Sequence, residues 1–169
     1  MPGVDLMKAD GDRAERPNRW PWPPIIVGLV AAAAVAMNHV APTRTLFPAS
    51  NATFVIGGAA IAAGLGLDVW AMRTMQRRRA NILPHRAATA LVTTGPFALS
   101  RNPIYLANTL LLAGAGLAFA NAWLLLGALA QAWMVSHLAI RREEAHLAIR
   151  FGGAWHAYAA KVPRWLRLW

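Results

Sequence analysis

Residues 104–140 read IYLANTLLLAGAGLAFANAWLLLGALAQAWMVSHLAI, a run that contains no Asp, Glu, Lys or Arg. The run is too long for one membrane-spanning helix and suits two helices of about 18 residues each. Asn121 lies near its middle, between Ala120 and Ala122, where a residue that favours turns predicts a tight helical hairpin. Trp123 is then expected at the outer membrane interface. The fold is therefore predicted to be all-α and embedded in a membrane.

Two further apolar runs precede the hairpin. Residues 25–40 are entered through a pair of prolines, and residues 53–72 are rich in Gly and Ala. The sequence thus predicts a polytopic protein with about four transmembrane helices. In the second run, the pairs Ala60–Gly64 and Ala62–Gly66 have the small-residue spacing that lets helix backbones approach closely.

The charge distribution predicts the topology. The chain has 169 residues, of which 57% are hydrophobic and 14% are charged, and its formal net charge is +10. Of its 17 basic residues, 16 precede residue 20, lie within residues 73–101, or follow residue 140. This asymmetry is the pattern that the positive-inside rule leaves in a multi-pass protein with an even number of spans. We expect both termini and the central polar segment to be cytoplasmic, at a plasma or inner membrane, and we expect no nucleic-acid partner.

The length allows one membrane domain with little beside it. Residues 1–19 are polar and predict a disordered cytoplasmic tail, which leaves residues 20–169 as a single membrane-embedded domain with a catalytic core at about 73–165. The fourth helix is predicted to continue past the membrane as a cytoplasmic amphipathic helix that breaks near Gly152, and the Trp-rich and basic stretch 155–169 is predicted to lie at the headgroup level. The chain has no cysteine, and its histidines lack a metal-ligand spacing, so we expect no metal site.

Polar residues at membrane depth are candidates for function. Asp68, near the end of the second run, is either paired with Arg73 at the interface or functional, and the sequence leaves both interpretations open. The remaining candidates lie in residues 95–105, which read GPFALSRNPIY, and in Glu143-Glu144.

These residues carry a resemblance to a known family. The segments LVTTGPF (91–97), RNPIY (101–105), EEAHL (143–147), Phe151-Gly152, Tyr158 and KVPR (161–164) follow one another in this order. In that order they resemble the isoprenylcysteine carboxyl methyltransferases and the related phospholipid methyltransferases. The resemblance covers residues 73–165 and implies an integral-membrane enzyme that uses S-adenosylmethionine as methyl donor.

The resemblance also implies which residues bind the donor and which take part in catalysis. Arg101 is the candidate catalytic residue, since a guanidinium suits the carboxylate of the donor. A carboxylate at a helix end suits hydroxyl or ammonium groups, and aromatic rings suit adenine or a sulfonium cation. The cofactor-binding candidates are Thr89, Leu91, Val92, Phe97, Asn102, Pro103, Ile104, Tyr105, Glu143 and Glu144.

Two departures from the carboxyl methyltransferase pattern leave the acceptor open. Asn102 replaces the usual His, as in the phospholipid enzymes, and Ala139 replaces the Arg that faces the prenylcysteine carboxylate. The sequence does not decide whether Arg141 or Arg142 takes over that role. A prenylcysteine-like carboxylate, a phospholipid amine and a small thiol all remain possible lipophilic acceptors, and the oligomeric state is unknown.

Two other functions compete with methyl transfer. A membrane reductase that uses NADPH on a sterol or enone has a similar hairpin, but it needs more basic groups for a second phosphate-bearing nucleotide. A non-enzymatic lipid-binding membrane protein needs no cofactor at all. The ligand that stabilises the folded protein against heat distinguishes these functions.

Overall fold

The computed structural model describes residues 22–43, 49–81 and 88–166. Within these ranges all regular elements are helical, and the predicted tail at residues 1–19 lies outside them. The long helices are α1 (Trp22–Val40), α2 (Asn51–Arg77), α3 (Pro103–Ala118) and α4 (Ala122–Val135). A 3-10 turn (Gly95–Ala98) precedes α3, and a π-helical segment (Ser136–Ile140) joins α4 to α5 (Arg141–Phe151), which is followed by α6 (Gly153–Lys161).

The helix lengths suit a bilayer. In the described part of the chain, three helical stretches are long and apolar enough to cross a membrane: Pro23–Val40, Asn51–Arg77 and Ala122–Phe151. The helix Pro103–Ala118 is apolar but shorter. The prediction of an all-α polytopic membrane protein is confirmed.

The hairpin turns at the predicted residue. Ala120 takes a positive φ of 49°, and the side chain of Asn121 accepts hydrogen bonds from the backbone N–H groups of Trp123 and Leu124 at 3.0 and 3.3 Å. These bonds satisfy donors that the first turn of a helix leaves free. The indole N–H of Trp123 donates to the carbonyl of Ala41 at 2.8 Å, which ties the hairpin tip to the end of α1.

The four long helices pack in the order α2–α3–α4–α1. Glycines bring α2 and α3 together: a Cβ on Gly114 would lie 2.7 Å from the carbonyl oxygen of Gly57, and one on Gly64 would lie 3.0 Å from that of Ala107. Of the two small-residue pairs seen in the sequence, the close approach therefore uses Gly64 but not Gly66, which has no neighbour within 4 Å.

The π-helical segment interrupts the regular backbone pattern between α4 and α5. Within it, the hydroxyl of Ser136 donates to the carbonyl of Ala132 at 2.7 Å. Each π turn holds an extra residue, which rotates everything beyond it about the helix axis. The segment thereby sets which side chains of α5 face the bundle. The predicted break at Gly152 is present, where the backbone takes a φ of +49°.

Candidate active site

A cavity of about 560 Å³ lies at the end of the bundle where α1 and α3 begin and α2 ends. Its volume falls in the range of small-molecule sites. The lining is mostly apolar, with polar groups concentrated on α3 and α5. The lining residues include Pro23, Pro24, Val27 and Gly28 from α1, Asp68, Met72 and Met75 from α2, Phe97 and Arg101 from the connecting segment, Pro103, Ile104, Tyr105 and Asn108 from α3, and Glu143, His146 and Leu147 from α5.

Tyr105 and Glu143 meet in this cavity. The Tyr105 hydroxyl donates to Glu143 Oε1 over 2.7 Å, and both residues line the cavity. The ring of Tyr105 is buried against Val135, Ala139 and Ile140. The sequence places these two residues 38 positions apart, and the hairpin together with the π-helical segment brings them into contact. A buried phenol thus orients a carboxylate toward the cavity.

Glu144 takes a different direction from its neighbour. Its Oε1 accepts a hydrogen bond from Arg164 Nε at 3.1 Å. The same oxygen lies 3.0 Å from Arg101 Nη1, which makes a second ion pair. The hydrogen bond to Glu144 raises the pKa of Arg164 above its ordinary value. One carboxylate therefore joins α5, the start of α3 and the segment after α6.

Arg101 contacts Glu144 and Trp155 but leaves its Nε donor available for a ligand. Its guanidinium also lies over the ring of Trp155, with its central carbon 5.6 Å from the centroid, a cation–π geometry. Its Nε is buried and has no hydrogen-bond partner among the described residues. Because an unsatisfied buried donor is costly and Arg101 lines the cavity, this atom is suited to an anionic group of a ligand.

Hydrogen bonds join the segment after α6, at Pro163 and Arg164, to the residues just before α3. The carbonyl of Arg164 accepts from the Asn102 side-chain amide at 2.9 Å and from the Ser100 hydroxyl at 3.2 Å. The Arg101 N–H donates to the carbonyl of Pro163 at 2.9 Å. The amide of Asn102 therefore positions this junction, while the residue also lines the cavity.

α6 packs one face against the rest of the protein. Trp155 and Tyr158 are buried with Val162, while most other residues of α6 are exposed. Trp155 covers Arg101, and the Tyr158 hydroxyl donates to the carbonyl of Phe97 at 2.7 Å. The expected position of the stretch 155–169 at the headgroup level stays a prediction. Burial raises the pKa of Tyr158 to about 12, against a smaller lowering by Arg101.

The predicted site residues fall into four groups. Phe97, Arg101, Asn102 and Glu143 line both the main cavity and an adjoining cavity of about 150 Å³, while Leu91, Val92 and Glu144 line only the adjoining one. Pro103, Ile104 and Tyr105 line only the main cavity. Thr89 lines neither cavity. Its hydroxyl donates to the carbonyl of Arg79 and accepts from the N–H of Asn81, which closes the loop after α2.

Several cavity residues were not predicted as site residues, among them the polar residues Asp68, Asn81, Asn108 and His146. Asp68 places Oδ1 in a buried position without a hydrogen-bond partner, and the described residues contain no ion pair between Asp68 and Arg73. Asn108 lies one turn beyond Tyr105, and His146 is 2% exposed and accepts from the Ala88 N–H at 3.2 Å. Polarity within an apolar run was the available signal for Asp68 and Asn108, and the position of His146 in the segment EEAHL was the available signal for that residue.

The arginines considered as substitutes at position 139 lie outside the cavities. Ala139 is fully buried, and Arg141 and Arg142 are exposed and absent from both cavity walls. Among the described residues, no cluster of three or more His, Asp or Glu is arranged to hold a metal ion.

Comparison with known proteins decides the family. A sequence profile described as phospholipid methyltransferase matches residues 52–154, which is more than half of the chain. The chain belongs to the phospholipid methyltransferase family. The match extends from α2 to the start of α6 and so includes Tyr105, Glu143 and all lining residues of the main cavity except those on α1. This is a family of membrane methyltransferases, which supports a methyltransferase activity for this member.

A curated relative is the nickel-cobalt-cadmium resistance protein NccN of Alcaligenes xylosoxydans xylosoxydans. It is 36% identical over 78 residues, which amount to 46% of this family member and 36% of the relative. The match thus spans little more than a third of the relative's own length. No solved structure matches this chain.

Proposed function

We propose that the protein transfers a methyl group from S-adenosylmethionine to a lipophilic acceptor at the cytoplasmic face of the membrane. The observation that carries this proposal is the Tyr105–Glu143 pair in a cavity of about 560 Å³, within the region that matches the phospholipid methyltransferase family. The donor would supply an electrophilic methyl group on a sulfonium. The protein's part would be to bind, orient and exclude water.

The residues present fit such a donor chemically. Glu143 offers a carboxylate to an ammonium or to ribose hydroxyls. The unpartnered Nε of Arg101 offers a donor to a carboxylate. Phe97 offers a ring face at the junction of the two cavities, which suits adenine or a cation. Glu144, held by Arg101 and Arg164, would act by fixing Arg101.

The acceptor would approach from the lipid between α1 and α2. These helices are separated in the packing order by α4 and α3, yet residues of both line the cavity, including Val27 and Gly28 on α1 and Met72 on α2. The lining there is apolar, which suits an alkyl chain. Polar groups at the inner limit of this passage would then contact the head group.

Asp68 favours an amine over a carboxylate as that head group. Its buried Oδ1 has no hydrogen-bond partner in the part of the chain that the structure describes, and Asn108 faces the same cavity from α3. A second carboxylate brought beside Asp68 would be repelled in surroundings of low dielectric constant, whereas an N–H group would satisfy the vacant acceptor. Arg101 is the guanidinium in the cavity lining, and it is bound by Glu144 and would bind the carboxylate of the donor. Ala139 and the exposed Arg141 and Arg142 add no further positive charge there to offset that repulsion.

A labelled-methyl assay on the purified full chain tests the proposal. The acceptors are amphiphiles with the same alkyl chain and an amine, carboxylate or thiol head group. We expect transfer to the amine, and we expect Asp68→Asn to raise the KM for that acceptor about tenfold or more while the Kd of the donor is unchanged. Transfer to the carboxylate alone would contradict the role of Asp68, and absence of transfer to all three would contradict the proposed activity.

A further inference from the structure

The inner half of α2 has three distinct faces. Gly57, Gly64 and Ala71 are buried and point toward the bundle, and Asp68, Met72 and Met75 line the main cavity. The third face carries a separate groove of about 480 Å³, lined by Leu65, Gly66, Val69, Trp70, Arg73, Thr74 and Arg77. This face takes no part in the candidate active site.

The groove has an apolar half and a basic half. Gly66 has no neighbour within 4 Å of the position that a Cβ would take, so the apolar half is open between Leu65 and Val69. One to three turns further on, Arg73 and Arg77 stand one turn apart, both exposed and without an ion pair among the described residues. Trp70, which is 47% exposed, lies between the two halves.

This order of groups matches an anionic phospholipid. Trp is enriched where the hydrocarbon meets the headgroups, and two guanidinium groups one turn apart suit a phosphate. Basic residues beside the membrane attract anionic lipids of the cytoplasmic leaflet. A lipid with its phosphate between Arg73 and Arg77 would lay an acyl chain along Val69, Gly66 and Leu65.

The groove wall also touches the segment that leads into the candidate active site. A Cβ on Gly95 would lie 3.0 Å from the Thr74 hydroxyl and 3.3 Å from Trp70 Nε1, so these side chains pack directly on the Gly95 backbone. Gly95 has a φ of +63° and opens the 3-10 turn that carries Phe97. Groups that line the groove therefore support the turn that carries a cavity residue.

We propose that this face of α2 binds one anionic phospholipid, with its phosphate between Arg73 and Arg77, and that the bound lipid stabilises the Gly95 turn. The effect of this lipid on donor binding rests on the proposed function. The binding of the lipid itself does not.

Native mass spectrometry of the full chain in detergent tests the binding. The lipids are phosphatidylglycerol and phosphatidylcholine, each titrated separately. The test variant is Arg73→Gln/Arg77→Gln. The matched control is Arg78→Gln/Arg79→Gln, which removes the same charge from the same end of α2 but outside the groove. We expect one retained phosphatidylglycerol per wild-type chain, with affinity lowered about 20-fold or more by the test pair and about threefold or less by the control pair.

Three results would overturn the proposal. Equal losses in the two double variants would indicate a general attraction of anionic lipid by the basic end of the protein. Equal retention of phosphatidylcholine would show that charge does not select the lipid. Full displacement of phosphatidylglycerol by millimolar inorganic phosphate would show that the groove binds phosphate without recognising a lipid.

Calorimetry of S-adenosylmethionine binding tests the coupling. Phosphatidylglycerol is expected to tighten donor binding in the wild type and in the control pair, but not in Arg73→Gln/Arg77→Gln. If phosphatidylglycerol binds as expected and leaves a measurable donor affinity unchanged, the stabilising role of the lipid is wrong. If no protein binds the donor under any condition, the proposed function fails while the lipid stoichiometry still decides the binding part.

Discussion

The hydroxyl of Tyr105 donates a hydrogen bond to Glu143 Oε1 over 2.7 Å, across the base of a helical hairpin. Tyr105 lies in the first turn of α3 and Glu143 lies on α5, beyond the π-helical segment, so their contact joins the start of the hairpin to the helix that follows it. The same contact places a carboxylate in the cavity of about 560 Å³ at that end of the bundle. The Tyr105–Glu143 hydrogen bond therefore contributes both to helix packing and to the orientation of a candidate donor-binding group.

Replacement of Tyr105 by Phe isolates the contribution of that bond to donor binding. The ring that packs against Val135 and Ala139 stays, whereas Glu143 loses an oriented donor. A hydrogen bond to a charged group is worth about 1.5–3 kcal/mol. We expect donor affinity measured by calorimetry to fall about tenfold, with a smaller change in the unfolding temperature than Tyr105→Ala causes. An unchanged donor affinity would contradict the role assigned to the pair.

Replacement of Glu144 by Gln should act mainly on stability. Glu144 is bound by Arg101 and by Arg164, and its side chain is only 14% exposed. Removal of its charge leaves two guanidinium groups without their shared partner, at a cost of about 2–3 kcal/mol in unfolding free energy. Arg164→Lys should not preserve the contact fully, because an ammonium lacks the fork geometry.

Thermal unfolding in detergent compares these variants with Arg150→Gln. Arg150 is an exposed basic residue on α5, and none of the ion pairs among the described residues includes it. We expect Arg150→Gln to unfold close to the wild type. Equal unfolding temperatures for Glu144→Gln and Arg150→Gln would mean that the three-residue contact adds nothing to stability.

Tyr158 should retain its proton to unusually high pH. Burial raises its pKa to about 12, compared with about 10 for an ordinary tyrosine. Between these values the folded protein holds a proton that the unfolded chain has lost. The stability contributed by this group is therefore complete below pH 10 and declines as the pH rises toward 12.

The chain has only two tyrosines, which makes this prediction directly measurable. In Tyr105→Phe, Tyr158 is the sole source of phenolate absorbance. Its titration midpoint is expected near 12 in the folded protein and near 10 after denaturation. A midpoint near 10 while the protein remains folded would contradict the burial of Tyr158 beneath Phe97 and Trp155.

The α2–α3 contact predicts a difference between two similar substitutions. Gly114→Ala would place a Cβ 2.7 Å from the Gly57 carbonyl oxygen, whereas Gly58→Ala would meet nothing within 4 Å. We expect the first to lower unfolding free energy by about 1–3 kcal/mol, the usual cost of overpacking. The second should be neutral or slightly stabilising, because Ala has the higher helix propensity. Equal effects, measured by denaturant or heat, would mean that the two helices do not approach through these glycines.

Much of the architecture was predictable because it depends on local patterns. The length of the apolar run predicted a helical hairpin. Its turn was correctly predicted at Asn121, which caps the first turn of α4 in the structure. Glycine spacing predicted a close helix contact but not its face, because facing residues depend on the partner helix. Gly64 and Gly57 meet α3, and Gly66 instead opens the groove on the other side of α2.

The site was predictable only in part, for a physical reason. Tyr105 and Glu143 were both named as site residues, although their contact depends on the π-helical segment Ser136–Ile140, and no residue pattern predicted that segment. Asp68 was singled out for its charge, but its pairing with Arg73 and a functional role were both left open, because the sequence does not show a cavity that distant helices form. The assignment of donor-binding roles, Thr89 included, stays a prediction.

Calorimetric titration of S-adenosylmethionine into the purified wild type, with Glu143→Gln alongside, tests whether the cavity binds the methyl donor through Glu143. We expect binding by the wild type and a loss of about tenfold or more in Glu143→Gln, because a charge-assisted contact to the donor is weakened. Absence of binding by a folded wild type, or equal binding by both proteins, would contradict the proposed donor site. Stabilisation of the wild type against heat by NADPH and not by S-adenosylmethionine would point to the reductase instead.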